Sequence, residues 1–181
     1  KHKNLKVIKG DIRDFDKLNI RNIDVIIHLA NVANDPTVEL NPNLSWEINV
    51  LAAKIMADHA IKNKVKKLIF FSSGSVYGLK KEKKVTEELK LNPITAYNKT
   101  KMIAERVFLS FKDKIEVICL RPATVCGVSE RLRLDVTVNK LTFDGFFKKK
   151  IFVDGGKQVR PNIHIEDIVR IIDHFVLSKK K

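Results

Sequence analysis

Cysteine is nearly missing from this 181-residue sequence: only Cys119 and Cys126 occur, with six residues between them and no Cys-x-x-Cys or Cys/His cluster nearby. That excludes a disulfide framework and a thiolate zinc site, and it suits a reducing compartment. Long apolar runs are also lacking. None approaches the roughly 20 residues that cross a bilayer, and the opening Lys1-His2-Lys3-Asn4 has no apolar stretch of the signal-peptide kind. The expectation is a soluble, cytoplasmic protein with no membrane partner. Glycine is scarce, at seven residues, and no Gly-x-Gly-x-x-Gly or Gly-x-x-Gly-x-x-Gly occurs. No stretch can therefore form the glycine loop that cradles a pyrophosphate at a helix N-terminus. Acidic residues number 21 against 35 Lys and Arg, for a formal net charge of +14. Such an excess raises the question of nucleic acid, whose phosphates basic side chains neutralise. Here lysine outnumbers arginine 27 to 8 and gathers in short runs, Lys62 to Lys67, Lys80 to Lys84, Lys148 to Lys150 and Lys179 to Lys181. No recognition-helix or base-stacking pattern accompanies them, so they read as solvated surface with no specific nucleic-acid partner.

What is present is an alternation of short β-branched runs with longer segments of helical period, the pattern of βαβ units and a parallel sheet. The 44% apolar content supports one core-bearing domain. Strands are expected at Leu5 to Lys9, Asp24 to Leu29, Lys67 to Ser72, Glu116 to Arg121 and Ile151 to Val153. The middle three are apolar enough to be covered on both faces. Helices are expected around Asp14 to Asn19, Pro42 to Asn63, Ala96 to Phe111, Val136 to Lys148 and Glu166 to Leu177. Asn41 before Pro42 supplies a cap and a proline at the first helical position.

Chemistry concentrates in Ser72-Ser73-Gly74-Ser75-Val76-Tyr77-Gly78, directly after a strand, and in Tyr97-Asn98-Lys99-Thr100-Lys101 at the start of a helix. Residues i and i+4 share a helix face, so the Lys101 ammonium lies near the Tyr97 phenol. A phenol of ordinary pKa, about 10, is a poor base at neutral pH, and a nearby cation favours its ionised form. Tyr77 also has a lysine four residues on, Lys81, but it sits in a turn between Val76 and Gly78. Tyr97 opens an amphipathic helix on which Lys101, Ala104 and Phe108 continue the same spacing.

These two segments resemble the extended short-chain dehydrogenase/reductase family of sugar-nucleotide epimerases and dehydratases. The resemblance implies Ser73, Tyr97 and Lys101 as catalytic residues. Tyr97 would take a hydroxyl proton as hydride passes to a nicotinamide, Ser73 would hold the oxygen that loses its proton, and Lys101 would bond the nicotinamide ribose. Gly10-Asp11-Ile12-Arg13-Asp14 is similar to the family's adenine-binding turn, which gives cofactor contacts to Asp11 and Ile12. Asp14 is the better helix cap, leaving Asp11 free. His28-Leu29-Ala30-Asn31 looks like the segment whose backbone runs against the cofactor, with Asn31 a departure from the family pattern. Asn49 stands where the family has an asparagine that braces the site by contacting backbone or cofactor, which implies Asn49 as a further cofactor-binding residue. Leu120-Arg121-Pro122-Ala123-Thr124-Val125-Cys126-Gly127 resembles the stretch bordering the nicotinamide, which places Pro122 there; Cys126 replaces the usual tyrosine. Val159 to Asp167 resembles the segment in which an arginine, here Arg160, grips the diphosphate. Ser75 is implied at the substrate, and His164 reads as a structural strand histidine. No metal site is expected.

The implied fold is α/β, a Rossmann-like doubly wound parallel sheet. It is expected to be incomplete, lacking its first two strands and glycine-rich loop. Residues 1–128 would be part of the dinucleotide-binding domain and 129–181 part of a small substrate-binding region. The cofactor is NAD or NADP, since the residue that chooses between them in the family would precede residue 1. The implied function is a nucleotide-sugar epimerase, dimeric at full length, with this fragment inactive alone. A reductase or dehydrogenase of the family would use the same residues, and a non-catalytic RNA-binding relative is a further alternative. Gly74 and Ser75 stand where dehydrating members carry an acidic pair, which argues against 4,6-dehydration.

Overall fold

The computed structural model of the protein describes Lys3–Ser178, so expectations that touch Lys1, His2 and the Lys179–Lys181 run lie outside the described residues. The chain forms two compact units. The first runs to Ser72 and resumes over Val76–Leu120; the second takes Ser73–Ser75 and the chain from Arg121 onward.

The first unit is built on a parallel three-stranded sheet of β1 (Val25–His28), β2 (Lys67–Phe71) and β3 (Glu116–Leu120), in that order. Ile26 pairs with Leu68 and His28 with Phe70; Leu68 pairs with Val117 and Phe70 with Cys119. Parallel neighbours need a crossover between them, and helices supply it. Three strands fall within the stretches expected from sequence. Burial on both faces holds only for β2, where Leu68, Ile69 and Phe70 are all buried. β1 buries Ile26 and His28 but exposes Ile27, and every residue of β3 is half-buried. The difference is positional: β2 has a strand on each side, whereas β1 and β3 are the outer strands of the described sheet. Leu5–Lys9 is likewise no strand, and Leu5, Val7 and Ile8 are exposed.

After β1 come α1 (Asp35–Leu40), which the sequence reading missed, and α2 (Pro42–Trp46). Asn34 caps α1 by accepting from Thr37 N, and Asn41 caps α2 by accepting from Leu44 N. α2 continues through a π-helical turn, Glu47–Leu51, into α3 (Ala52–Lys62). The long helix expected from Pro42 to Asn63 is thus present with one wide turn in it. α4 (Ala96–Leu109) starts at the cap Thr95. Ala53, Met56, Ala57 and Ala60 of α3 meet Ala104 and Phe108 of α4 and Leu68 and Phe70 of β2 in the core. The alanines let α3 lie close, and each large side chain fully removed from water, such as Phe108, contributes about 1.5–3 kcal/mol. The Asp14–Asn19 helix is a 3₁₀ helix, Ile12–Lys17, whose Phe15 seals one end of this core.

The second unit holds a two-stranded parallel sheet, β4 (Thr124–Cys126) with β5 (Asn162–His164), followed by α6 (Ile165–Leu177). Gly127, directly after β4, has φ +116°, and a Cβ there would lie 2.7 Å from His164 Nε2. A side chain would break the close approach of β4 to the β5–α6 corner. α5 (Thr137–Phe143) runs into a second π turn, Asp144–Lys148. Ile151–Val153, expected as a strand, is exposed and forms none.

Candidate active site

The sequence puts its reactive groups where parallel strands end. β2 stops at Phe71; Ser72 N then donates to Leu120 O at 2.8 Å, which holds the exit of β2 against that of β3. In the first unit, Tyr97 is the second residue of α4 and is half-buried, while Lys101, one turn on, is buried. Lys101 Nζ donates to Phe71 O at 2.6 Å and stands 4.8 Å from the centroid of the Phe70 ring. Burial pushes its pKa down to about 8. An ammonium has three donors, so one bond to Phe71 leaves two to spend.

Thr100 and Asn49 fix the first turn of α4. Thr100 Oγ1 donates to Tyr97 O at 2.8 Å and accepts from Asn49 Nδ2 at 3.1 Å. Asn49 also donates to Val32 O at 3.1 Å and accepts from Val32 N at 2.8 Å. A chain of hydrogen bonds, buried at its Asn49–Thr100 link and half-buried at its ends, therefore joins the loop after β1 to the backbone of Tyr97. Asn49 was expected as a brace, and it bonds backbone. Thr100 was missed, although it lies inside the Tyr-x-x-x-Lys motif; a hydroxyl three residues after the tyrosine, where it can bond the helix carbonyl, was the available signal. Asn49→Ala strips the half-buried Val32 N–H and C=O and the buried Thr100 hydroxyl of their partner, and it should cost about 1–3 kcal/mol. Urea unfolding of the chain measures this, and a loss below about 0.5 kcal/mol, within the range of an ordinary surface substitution, contradicts a bracing role.

Elsewhere the outcome differs from the sequence reading. Asp11, not Asp14, caps the 3₁₀ helix, accepting from Arg13 N at 2.9 Å. Arg13 also grips it through Nη2 at 2.7 Å and Nε at 3.1 Å, while its Nη1 donates to Glu47 Oε2 at 2.7 Å. Asp11 is thus not free, and its bonds to Arg13 hold its pKa down to about 2. The error came from weighing caps alone, since a side chain two residues on can hold the same carboxylate. Ile12 is half-buried at the start of that helix. Leu29 and Ala30 are exposed past the end of β1, and Asn31 Nδ2 donates to Leu29 O at 3.2 Å. Asn31 Oδ1 is buried without a partner, and so is Ser72 Oγ just past β2.

In the second unit, Ser73 Oγ and Ser75 Oγ lie 2.7 Å apart, and Ser75 N donates to Ser73 Oγ at 3.2 Å. Gly74 N donates to Pro122 O at 2.9 Å, and a Cβ on Gly74 would stand 3.1 Å from that carbonyl oxygen. Arg160 is exposed. His164 ends β5, is partly exposed, and accepts from Glu166 N at 3.4 Å as the cap of α6. Among the described residues no group of three His, Cys, Asp or Glu is placed to hold a metal, and no helix is long and apolar enough to cross a membrane.

All of residues 1–181 match the NAD dependent epimerase/dehydratase family. The UDP-glucose 4-epimerase of Lactobacillus helveticus is 29% identical over 197 residues, covering 97% of this chain and 58% of the relative. A putative UDP-glucose 4-epimerase of Methanocaldococcus jannaschii is 28% identical, covering 90% of this chain and 56% of its own length. Among solved structures, MoeE5 in complex with UDP-glucuronic acid and NAD matches with a TM-score of 0.82 at 26% identity, over 96% of this chain and 59% of that one. The UDP-glucuronic acid 4-epimerase of Bacillus cereus, in complex with UDP-glucuronic acid and NAD, matches with a TM-score of 0.77 at 26% identity, over 94% and 54%. The chain therefore spans a little over half the length of these relatives. It has the parallel, Rossmann-like α/β fold and belongs to the NAD-dependent epimerase/dehydratase family.

Proposed function

We propose that this protein is an NAD-dependent nucleotide-sugar epimerase that works at one carbinol carbon, with Tyr97 as base and Lys101 and Ser73 as its partners. The observation that carries the reading is Lys101, buried one helical turn from Tyr97 and tied by its ammonium to the carbonyl at the end of β2. A lysine costs free energy to bury. A place one helical turn from a tyrosine, at the carboxyl end of a parallel strand where open α/β sheets bind their ligands, gives that burial a use.

The residues present suit a dinucleotide. Asn31 Oδ1 and Ser72 Oγ, both buried and unpartnered, lie just past the ends of adjacent strands, and Lys101 has donors left over. Acceptors and donors of this kind fit the hydroxyls of a ribose. Asp11 spends three of its roughly four acceptor sites on Arg13 and keeps one, on Oδ2, for an adenine amine. Pro122 borders the nicotinamide side, and the residues to 128 belong to the dinucleotide-binding part. A bound nicotinamide would supply reversible hydride chemistry at the sugar carbon. Tyr97 removes the hydroxyl proton and later returns it, Lys101 stabilises the negative charge on the phenol oxygen, and Ser73 holds the sugar oxygen. Ser75 and Arg160 act on the substrate, with the exposed guanidinium suited to a diphosphate. Epimerisation is favoured over dehydration because Gly74 and Ser75, which stand where dehydrating members carry an acidic pair, offer no carboxyl group for acid/base work.

The test uses the longest reading frame that contains this chain, incubated with NAD and a panel of UDP-sugars and no other oxidant. Formation of an epimer without net reduced-nicotinamide absorbance is expected. Absorbance that grows in proportion to product would identify a dehydrogenase instead.

A further inference from the structure

We propose that Phe70 is a positioning residue for Lys101: the face of its ring holds the lysine ammonium, in charged form, at the carboxyl end of β2. This deepens the proposed function and rests on it for its catalytic meaning, but its test does not. Lys101 is 3% exposed, so its ammonium has lost nearly all its water. Such a charge needs compensation from the protein, and among the described residues no acidic side chain supplies it. Two groups meet it instead, the Phe71 carbonyl at 2.6 Å and the Phe70 ring at 4.8 Å from its centroid. Attraction between a cation and the negative face of an aromatic ring grows as water is removed, and here almost none is left.

Phe70 cannot turn away. It is 1% exposed and stacks on His28, with centroids 5.6 Å apart and planes at 24°; Phe108 packs against both, at 4.9 Å from Phe70 and 5.6 Å from His28. The three rings fix the orientation of the one that faces the ammonium. Besides Lys54, Asp58, His59 and Lys62 on α3 and Glu116 and Cys119 on β3, both packed on α4, these ionisable groups surround Lys101. His28 comes from β1, and burial followed by the charge of Lys101 keeps it neutral, with its pKa down to about 4. Tyr97 and Glu105 stand one turn to either side on α4. α1, which packs on α4, carries Asp35 and Glu39, and the π turn carries Glu47, which is spent on Arg13.

The 181-residue chain labelled with lysine bearing ¹⁵N at Nζ tests this. The Lys101 signal is identified by its loss in Lys101→Met and then titrated. In the unsubstituted chain it should titrate near 8, below the exposed lysines. Phe70→Leu should lower that value by about one further unit. Phe70→Tyr, which keeps the ring, should restore it, and Phe108→Leu, which loosens the same cluster without touching the ammonium, should leave it unchanged. Replacing Phe70 by 3,4,5-trifluorophenylalanine keeps the shape and weakens the negative ring face, so it should lower the value even if Phe70→Leu does not fold. A Lys101 titration that stays within about 0.2 units in the fluorinated chain overturns the proposal, as does an equal shift in Phe108→Leu. Because the readout is ionisation and not turnover, it can fail while the Tyr97 mechanism holds, and the reverse.

Discussion

Tyr97→Phe is expected to lower turnover about 10²-fold to 10⁴-fold, the range for removing a positioned acid/base group. The measurement again uses the full reading frame. The change removes one oxygen from a half-buried ring on α4 and should leave the fold intact, since the Tyr97 backbone keeps its bond from Thr100. Nucleotide-sugar affinity should change little, because the diphosphate and nucleotide supply most of it and the phenol acts on a proton that moves only in the transition state. The signature is a fall in kcat with a nearly constant Kd for the sugar nucleotide. Near-normal turnover in Tyr97→Phe removes Tyr97 as the base; a matching loss of affinity would instead mark it as a binding residue.

The second large effect concerns stability and acid. His28 is buried, and burial, with the Lys101 charge as a lesser cause, sets its pKa down from 6.5 to about 4. The unfolded chain therefore takes up the proton near pH 6.5 and the native chain only near 4. Between those values the unfolded state binds more protons, so stability rises with pH across the window. The His28 contribution is complete above 6.5 and is lost as pH falls toward 4. At about 1.4 kcal/mol per pKa unit the swing is roughly 3 kcal/mol. Urea unfolding at pH 7 and pH 4 should show the parent chain losing about that much more than His28→Phe, which keeps a ring against Phe70 and Phe108 but has nothing to protonate. Equal losses in both chains would mean that His28 titrates normally and is less enclosed than the structure has it.

Much of this was legible in the sequence, and the failures share a cause. Tyr97 and Lys101 could be read because a four-residue spacing on a helix is a local statement about geometry. β2 could be read because an apolar run of its length, placed between helices, has few other destinations. The Asn49–Thr100 bond joins residues 51 apart, and nothing local in either segment announces the other. The Asp11–Arg13 pair was local and still missed, because a carboxylate that follows a strand suggests a cap or a ligand before it suggests a neighbour two residues on. Phe70 and His28 looked like ordinary strand residues; only the register of β1 on β2 sets one ring against the other. Short strands such as Thr124–Cys126 and Asn162–His164 take their structure from each other, not from their own composition.

The wide turn at Glu47–Leu51 bears on how this protein can change length. A residue added to a helix rotates everything after it by about 100°, one part in 3.6 of a turn. The π turn absorbs one residue as a local bulge, so the segment before it and Ala53, Met56, Ala57 and Ala60 after it can each keep a buried face. Deleting a single residue within the bulge would leave a regular helix with the alanine face of α3 still on the sheet, whereas a deletion within α3 itself would swing that face away by about 100°. Insertions and deletions elsewhere in this helix are therefore tolerable only in numbers that restore its phase.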